Sequence, residues 1–110
     1  MIGNENHRIT LAEAAELTAN FRNAPLAIVA AVLTGLKGEA LGKNDIDTLL
    51  QQPGCTGTRI YFGLQLLPIP KFRLILVGVD ANDNDLVNGI LLDHGKLCPP
   101  ACGISNVLNS

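Results

Sequence analysis

The sequence predicts an α+β fold, with N-terminal helices packed on a small antiparallel meander and an irregular C-terminal tail. Three observations carry this. Capped segments of helical spacing fill the first half, and β-branched and aromatic residues gather between Thr58 and Val79. The two β-rich runs are also only six residues apart, which favours a hairpin. At 110 residues the chain reads as a single domain, 1–110.

Residues 1–8 are polar and aperiodic and read as a loose N-terminal tail. Thr10 and Glu13 have the spacing of a capping box, in which each satisfies a backbone N–H of the first turn. Leu11, Ala14, Ala15, Thr18 and Phe21 then share one helical face. Ala24 precedes Pro25 and is pushed out of helical space, so the helix spans 11–23. Pro25 opens a second element, LAIVAAVL over 26–33, which is apolar on every side. It reads as a short buried element, helical because of its three alanines. A short strand is expected within 36–41. Asn44 is the expected N-cap of a third helix over 44–52, with Asp45 and Asp47 in its first turn and Pro53-Gly54 as its stop.

Strands are expected over 58–65 and 71–79, pairing antiparallel. Leu74 to Val79 is apolar on both faces, the mark of a central strand, so Leu74 and Leu76 should be buried. Phe21, Ile46, Leu49 and Leu50 are the expected helical partners of the sheet. DANDND, 80–85, is a turn by composition. LVNGILL, 86–92, is a fourth strand or a tight hairpin around Asn88-Gly89. The segment 98–110 is irregular by its prolines and glycine.

Hydrophobic residues make up 47% of the chain and charged ones 16%, with a net charge of -2. That excludes a disordered chain and argues against nucleic-acid binding, which needs a basic footprint. The bases are scattered; only Arg59, Lys71 and Arg73 share a hairpin, with Tyr61. The longest apolar stretch, Pro25 to Leu36, falls short of the ~20 residues that span a bilayer. The N-terminus lacks the pattern of a secretory signal, and three cysteines cannot all pair within one chain, so a cytoplasmic setting is expected.

The cysteines are the main candidate chemistry. His94, Cys98 and Cys102 recur every four residues, and Cys55 sits in a turn-like PGCTG. Cys₃His is a known structural zinc set, although the spacing is not that of a zinc knuckle. Pro99-Pro100 forbids a helix that would align the ligands, so convergence needs a turn at Ala101-Gly103. The readings are free structural thiols, a zinc site, or a Cys98–Cys102 redox pair; no cofactor is expected beyond possible zinc. Other sites fail on residue type. A calcium loop from Asp80 would use Asp80, Asn82 and Asn84, but Asp85 stands where glycine is needed and Leu91 where glutamate is needed. No catalytic motif is present, and Cys55 or Cys98 with His94 and Asp93 is the sole conceivable nucleophile set.

The hairpin loop QLLPIP places Leu66, Leu67 and Ile69 where turn residues belong. Clustered apolar groups on a loop mark a contact with another chain, unless the loop folds back over its own core. QQPGCTGTRIYFGL, LILVGVDANDNDL and the late CPPACG together resemble a family of short, uncharacterised bacterial proteins, over about residues 36–110. The resemblance implies that Cys55, Cys98 and Cys102 belong to that family's motifs. It implies no activity, cofactor or catalytic residue. The chain departs from the family pattern at QLLPIP, where a polar turn is expected. The functional expectation is a non-enzymatic domain that self-associates or binds a protein partner, with a zinc or thiol redox site at Cys55, His94, Cys98 and Cys102 as the alternative.

Overall fold

A computed structural model describes residues 6–110. Helix α1 spans Leu11–Asn23. Both halves of the capping box form: the Glu13 N–H donates to the Thr10 hydroxyl and the Thr10 N–H donates to the Glu13 carboxylate, each at 3.1 Å. Ala24 is extended ahead of Pro25 and ends the helix. Helix α2 follows at Leu26–Leu33, but the expectation of a buried element fails, because none of its residues is buried. Eight residues make only about two turns, and α2 packs against the sheet at β3 (Lys71–Val79).

Strand β1 is Gly38–Ala40, and helix α3 is Lys43–Leu50. The N-cap of α3 is Gly42 rather than Asn44. The Gly42 carbonyl accepts the Ile46 N–H at 3.3 Å, and its own N–H donates to His7 Nε2 at 2.8 Å. The helix thus opens with no side-chain cap, its N-cap residue held in place by the His7 ring.

Strand β2, Gly57–Gln65, pairs antiparallel with β3 in unbroken register, from Gly57 opposite Val79 to Gln65 opposite Lys71. Strand β4 is only Leu91–Leu92, on the other side of β3, so the sheet order is β2-β3-β4. The expected strand over 86–92 is shortened because residues 86–89 turn. The Gly89 N–H donates to the Leu86 carbonyl at 2.9 Å, and the Ile90 N–H goes to the Gln52 side chain at 2.8 Å. Strand β5, Lys96–Cys98, pairs antiparallel with β1 as a separate two-stranded ladder. Cys98 thus ends a strand rather than opening an irregular tail.

The loose tail expected over 1–8 is also corrected. Residues 1–5 lie outside the described part, but His7 is buried and Arg8 bridges to Leu92. The Asp93 N–H donates to the His7 carbonyl at 2.8 Å and the Ile9 N–H donates to the Leu91 carbonyl at 3.1 Å. Residues 7–9 therefore cover the outer edge of β4.

Successive side chains of β3 point to opposite faces, and both faces are covered. Ile75 and Val77 pack with Leu91 and with Ala14 of α1. Leu76 packs with Leu92 and with Leu49 of α3, and Ile46 and Leu74 lie against that cluster. Leu76 is buried as expected, Leu74 is half-buried, and Leu50 is exposed. Phe21 packs edge-on to Phe62 and Phe72, with ring centroids 5.7 and 6.0 Å away.

Replacing Leu76 by alanine should lower the unfolding free energy by about 2–5 kcal/mol through lost transfer energy and the cavity left behind. Gly63→Ala should cost about 1–3 kcal/mol by overpacking. The added Cβ would stand 2.4 Å from Ile75 Cδ1 and 3.1 Å from Leu17 Cβ, so α1 would have to move away from the sheet. Denaturant titration measures both, and a Leu76→Ala midpoint equal to wild type would contradict the central place of β3.

Candidate functional site

The loop joining β2 to β3 is fixed by its own polar groups. The Gln65 amide donates to the Ile69 carbonyl at 3.2 Å, and Arg73 donates to Gln65 Oε1 at 2.9 Å. This leaves Leu66, Leu67 and Ile69 directed outward, Leu67 at 82% exposure. Leu66 and Leu67 border a shallow groove with Leu17 and Asn20 of α1. The loop does not fold back over the core.

The apolar surface extends beyond the loop. Phe62 is exposed beside Phe21, where α1 runs into α2. On α2, Leu26 is 86% exposed and Leu33 is also exposed. Lys37, just beyond α2, donates its N–H to the Cys98 carbonyl at 2.7 Å and its ammonium to the Asn109 carbonyl. The C-terminal residues Ile104, Val107 and Leu108 are also strongly exposed. Sequence reasoning found the loop and missed α2, because an all-apolar run carries no sign of which side is covered.

The thiols do not assemble as a zinc set. Cys98 and Cys102 are joined as a disulfide with α-carbons 4.6 Å apart. The chain reverses there through the Ala101 N–H, which donates to the Leu97 carbonyl at 2.9 Å, and peptide bonds 98–99 and 99–100 are cis. Cys55 is free and half-buried, and its thiol donates to the Gly57 carbonyl at 3.2 Å. His94 is exposed and lies beside Asp93, 3.9 Å away, rather than beside a sulfur. Two of the four proposed ligands have used their sulfurs on each other, and among the described residues no three His, Cys, Asp or Glu side chains are placed to hold a metal ion. Of the Cys–His–Asp nucleophile set, His94 lies beside Asp93, while Cys98 is bonded to Cys102 and the Cys55 thiol donates to the Gly57 carbonyl. Arg59 and Tyr61 both bind the Asp85 carboxylate instead of forming a basic aromatic platform.

A polar cluster that the sequence did not disclose lies under the N-terminal segment. His7 and Asp93 are each 1% exposed. The His7 N–H donates to Asp45 Oδ2 at 2.7 Å. Its Nε2 accepts from Gly42, so the ring hydrogen is assigned to Nδ1, which donates to the His94 carbonyl at 3.1 Å. Glu39 of β1 accepts the Leu74 N–H on Oε2 at 3.1 Å. Its Oε1 and Asp93 Oδ1 are buried with no hydrogen-bond partner. Burial foremost, then the Asp93 charge, pushes the Glu39 carboxyl up to about 7, against the opposing Leu74 N–H and Arg73. No local signal marked these residues, because His7 and His94 meet across 87 positions of sequence.

Thiol labelling of denatured protein should tag Cys55 alone before reduction and all three cysteines afterwards. Cys98→Ser should cost about 2 kcal/mol of stability, the chain-entropy value for so short a loop. Three reactive thiols without reductant would show that the pair is open.

Comparison of the chain with protein-family models, with curated proteins and with solved structures finds no match. The chemistry and exposure of the residues above are therefore the ground on which function is read.

Proposed function

We propose that this chain is a small non-enzymatic binding domain that acts by self-association through its exposed apolar surface. The observation that carries the reading is α2, eight consecutive apolar residues of which none is buried. Contiguous apolar area facing water is uncommon on soluble monomers and marks contact sites. Each Å² removed from water by a partner contributes roughly 25 cal/mol. Leu67, Ile69, Val107 and Leu108 are exposed apolar residues as well. Prolines at 68 and 70 stiffen the loop and lower the entropy cost of docking it.

A second reading, thiol–disulfide exchange, is favoured by the bonded Cys98–Cys102 pair and requires an external dithiol as its reductant. That pair also weighs on compartment. A cytoplasmic setting follows from the odd cysteine count, yet disulfides persist in oxidising compartments and are reduced by cytosolic thiols.

Light scattering at rising concentration tests self-association. The wild type should form a dimer or larger species. Leu67→Lys and Leu26→Lys should each shift it towards monomer without unfolding the domain, because a lysine at the contact must be desolvated while in a monomer it faces water. A wild type that stays monomeric removes the reading, and capture of a different protein through the same residues would redirect it to a heterologous partner.

A further inference from the structure

We propose that the cavity between α1 and the β2-β3-β4 sheet binds a small monocarboxylate with an apolar body, whose carboxylate is held by Arg22. The cavity measures about 260 Å³. Its floor is Ile75, Val77 and Leu91, all buried, and Ala14 and Ala15 of α1 form one wall. The space has a local cause. Leu17 brings α1 down onto the sheet at Gly63, where an added Cβ would stand 3.1 Å from Leu17 Cβ. Nearly a turn earlier the two alanines carry a single methyl each, and these short side chains leave room over Ile75 and Val77.

Size sets the body of the ligand. A dry cavity of about 150 Å³ already takes benzene, and drug-sized ligands fill about 300 Å³ or more. A volume between the two suits one ring or a short alkyl chain with a single polar head, and the apolar floor favours it over a sugar or a nucleotide.

The polar groups at the mouth set the head. Asp85 borders the cavity, but both of its carboxylate oxygens are taken, one by the Arg59 guanidinium and the other by the Tyr61 hydroxyl. Its charge is thereby matched. The Thr18 hydroxyl donates to the Ala15 carbonyl at 3.1 Å, so its proton is also in use. Arg22, in the last turn of α1, borders the same cavity, and its guanidinium has no hydrogen bond or ion pair to any other described residue. The unmatched charge at the mouth is therefore positive, and its N–H groups form the planar fork that takes a carboxylate through two parallel hydrogen bonds. This site stands apart from the α2 surface and does not depend on self-association.

An NMR titration with phenylpropionate tests this, with phenylpropanol as the uncharged probe of the same shape. The methyl resonances of Ile75, Val77 and Leu91 should shift with the acid, and the alcohol should bind about tenfold more weakly for want of the charged pair. Arg22→Met keeps an apolar stem and should bring the acid down to the level of the alcohol. Ala15→Phe fills the cavity from an exposed helix position and should abolish binding of both probes. Methyls that do not respond to the acid overturn the proposal, as does a wild type that binds the alcohol as tightly as the acid. A folded Ala15→Phe protein that still binds overturns it as well; should that variant not fold, the wild-type shifts and Arg22→Met decide. Methyl shifts that follow protein concentration instead of added acid would give the cavity to a second copy of the chain and overturn the carboxylate site, whereas the α2 contact is scored separately by light scattering.

Discussion

Burial of β3 on both of its faces is the constraint from which the other placements follow. Ile75 and Val77 need a cover on one side and Leu76 needs one on the other, so α1 and α3 must lie on opposite faces. Hydrophobicity alone does not set the register of such a strand, because a one-residue slip would exchange one apolar set for another. The glycines do. Gly63 lies where α1 presses closest, under Leu17, and Gly78 lies under the Cys55 sulfur, where a Cβ would stand 3.0 Å from Sγ. A slip would put Phe62 or Leu64 in the one place and Val77 or Val79 in the other, where there is no room for them.

What the sequence disclosed was local. The capping box of α1, the proline that ends it and the β2–β3 hairpin each depend on residues close in the chain, and each is found within a residue of its expected bounds. What it hid was bonded at long range. Nothing near His7 says that its ring will meet Gly42 and the carbonyl of His94. Nothing near Lys96 to Cys98 says that these residues will pair with β1. The candidate surface was half legible: Leu66, Leu67 and Ile69 stood out as apolar residues in a turn, whereas the apolarity of α2 read as burial. The zinc reading rested on the right residue types, but spacing carries no information on whether two sulfurs meet a metal or each other.

The exposure of α2 has a topological cause. Helix α1 uses its buried residue, Ala14, on the β3 face at Ile75 and Val77, and Phe21 at its far end joins Phe62 and Phe72. The chain leaves α1 at the edge of the sheet, with Pro25 forcing an immediate restart. Leu76 and Leu92 on the other face are already covered by Leu49 of α3. With both faces of the inner sheet occupied, α2 is left beside Phe72 and Leu74 with most of its side chains outward. An eight-residue helix has little stability of its own in water. Its persistence in an exposed place is a cost that a docked partner would offset.

The β1–β5 ladder is held differently from the central sheet, and this gives the molecule two kinds of attachment. No residue of β1 or β5 is buried, so apolar burial does little to keep the ladder in place. Glu39 joins it to the sheet by accepting the Leu74 N–H, while the Lys37 N–H to the Cys98 carbonyl and the Cys98–Cys102 bond hold its own strands and end together. Apolar packing varies little with pH or redox state, whereas a buried carboxyl and a disulfide respond to each in turn. The central sheet is therefore the invariant part of the molecule. The ladder, joined to β3 by the hydrogen bond from the Leu74 N–H to Glu39, is held by polar contact rather than by apolar burial.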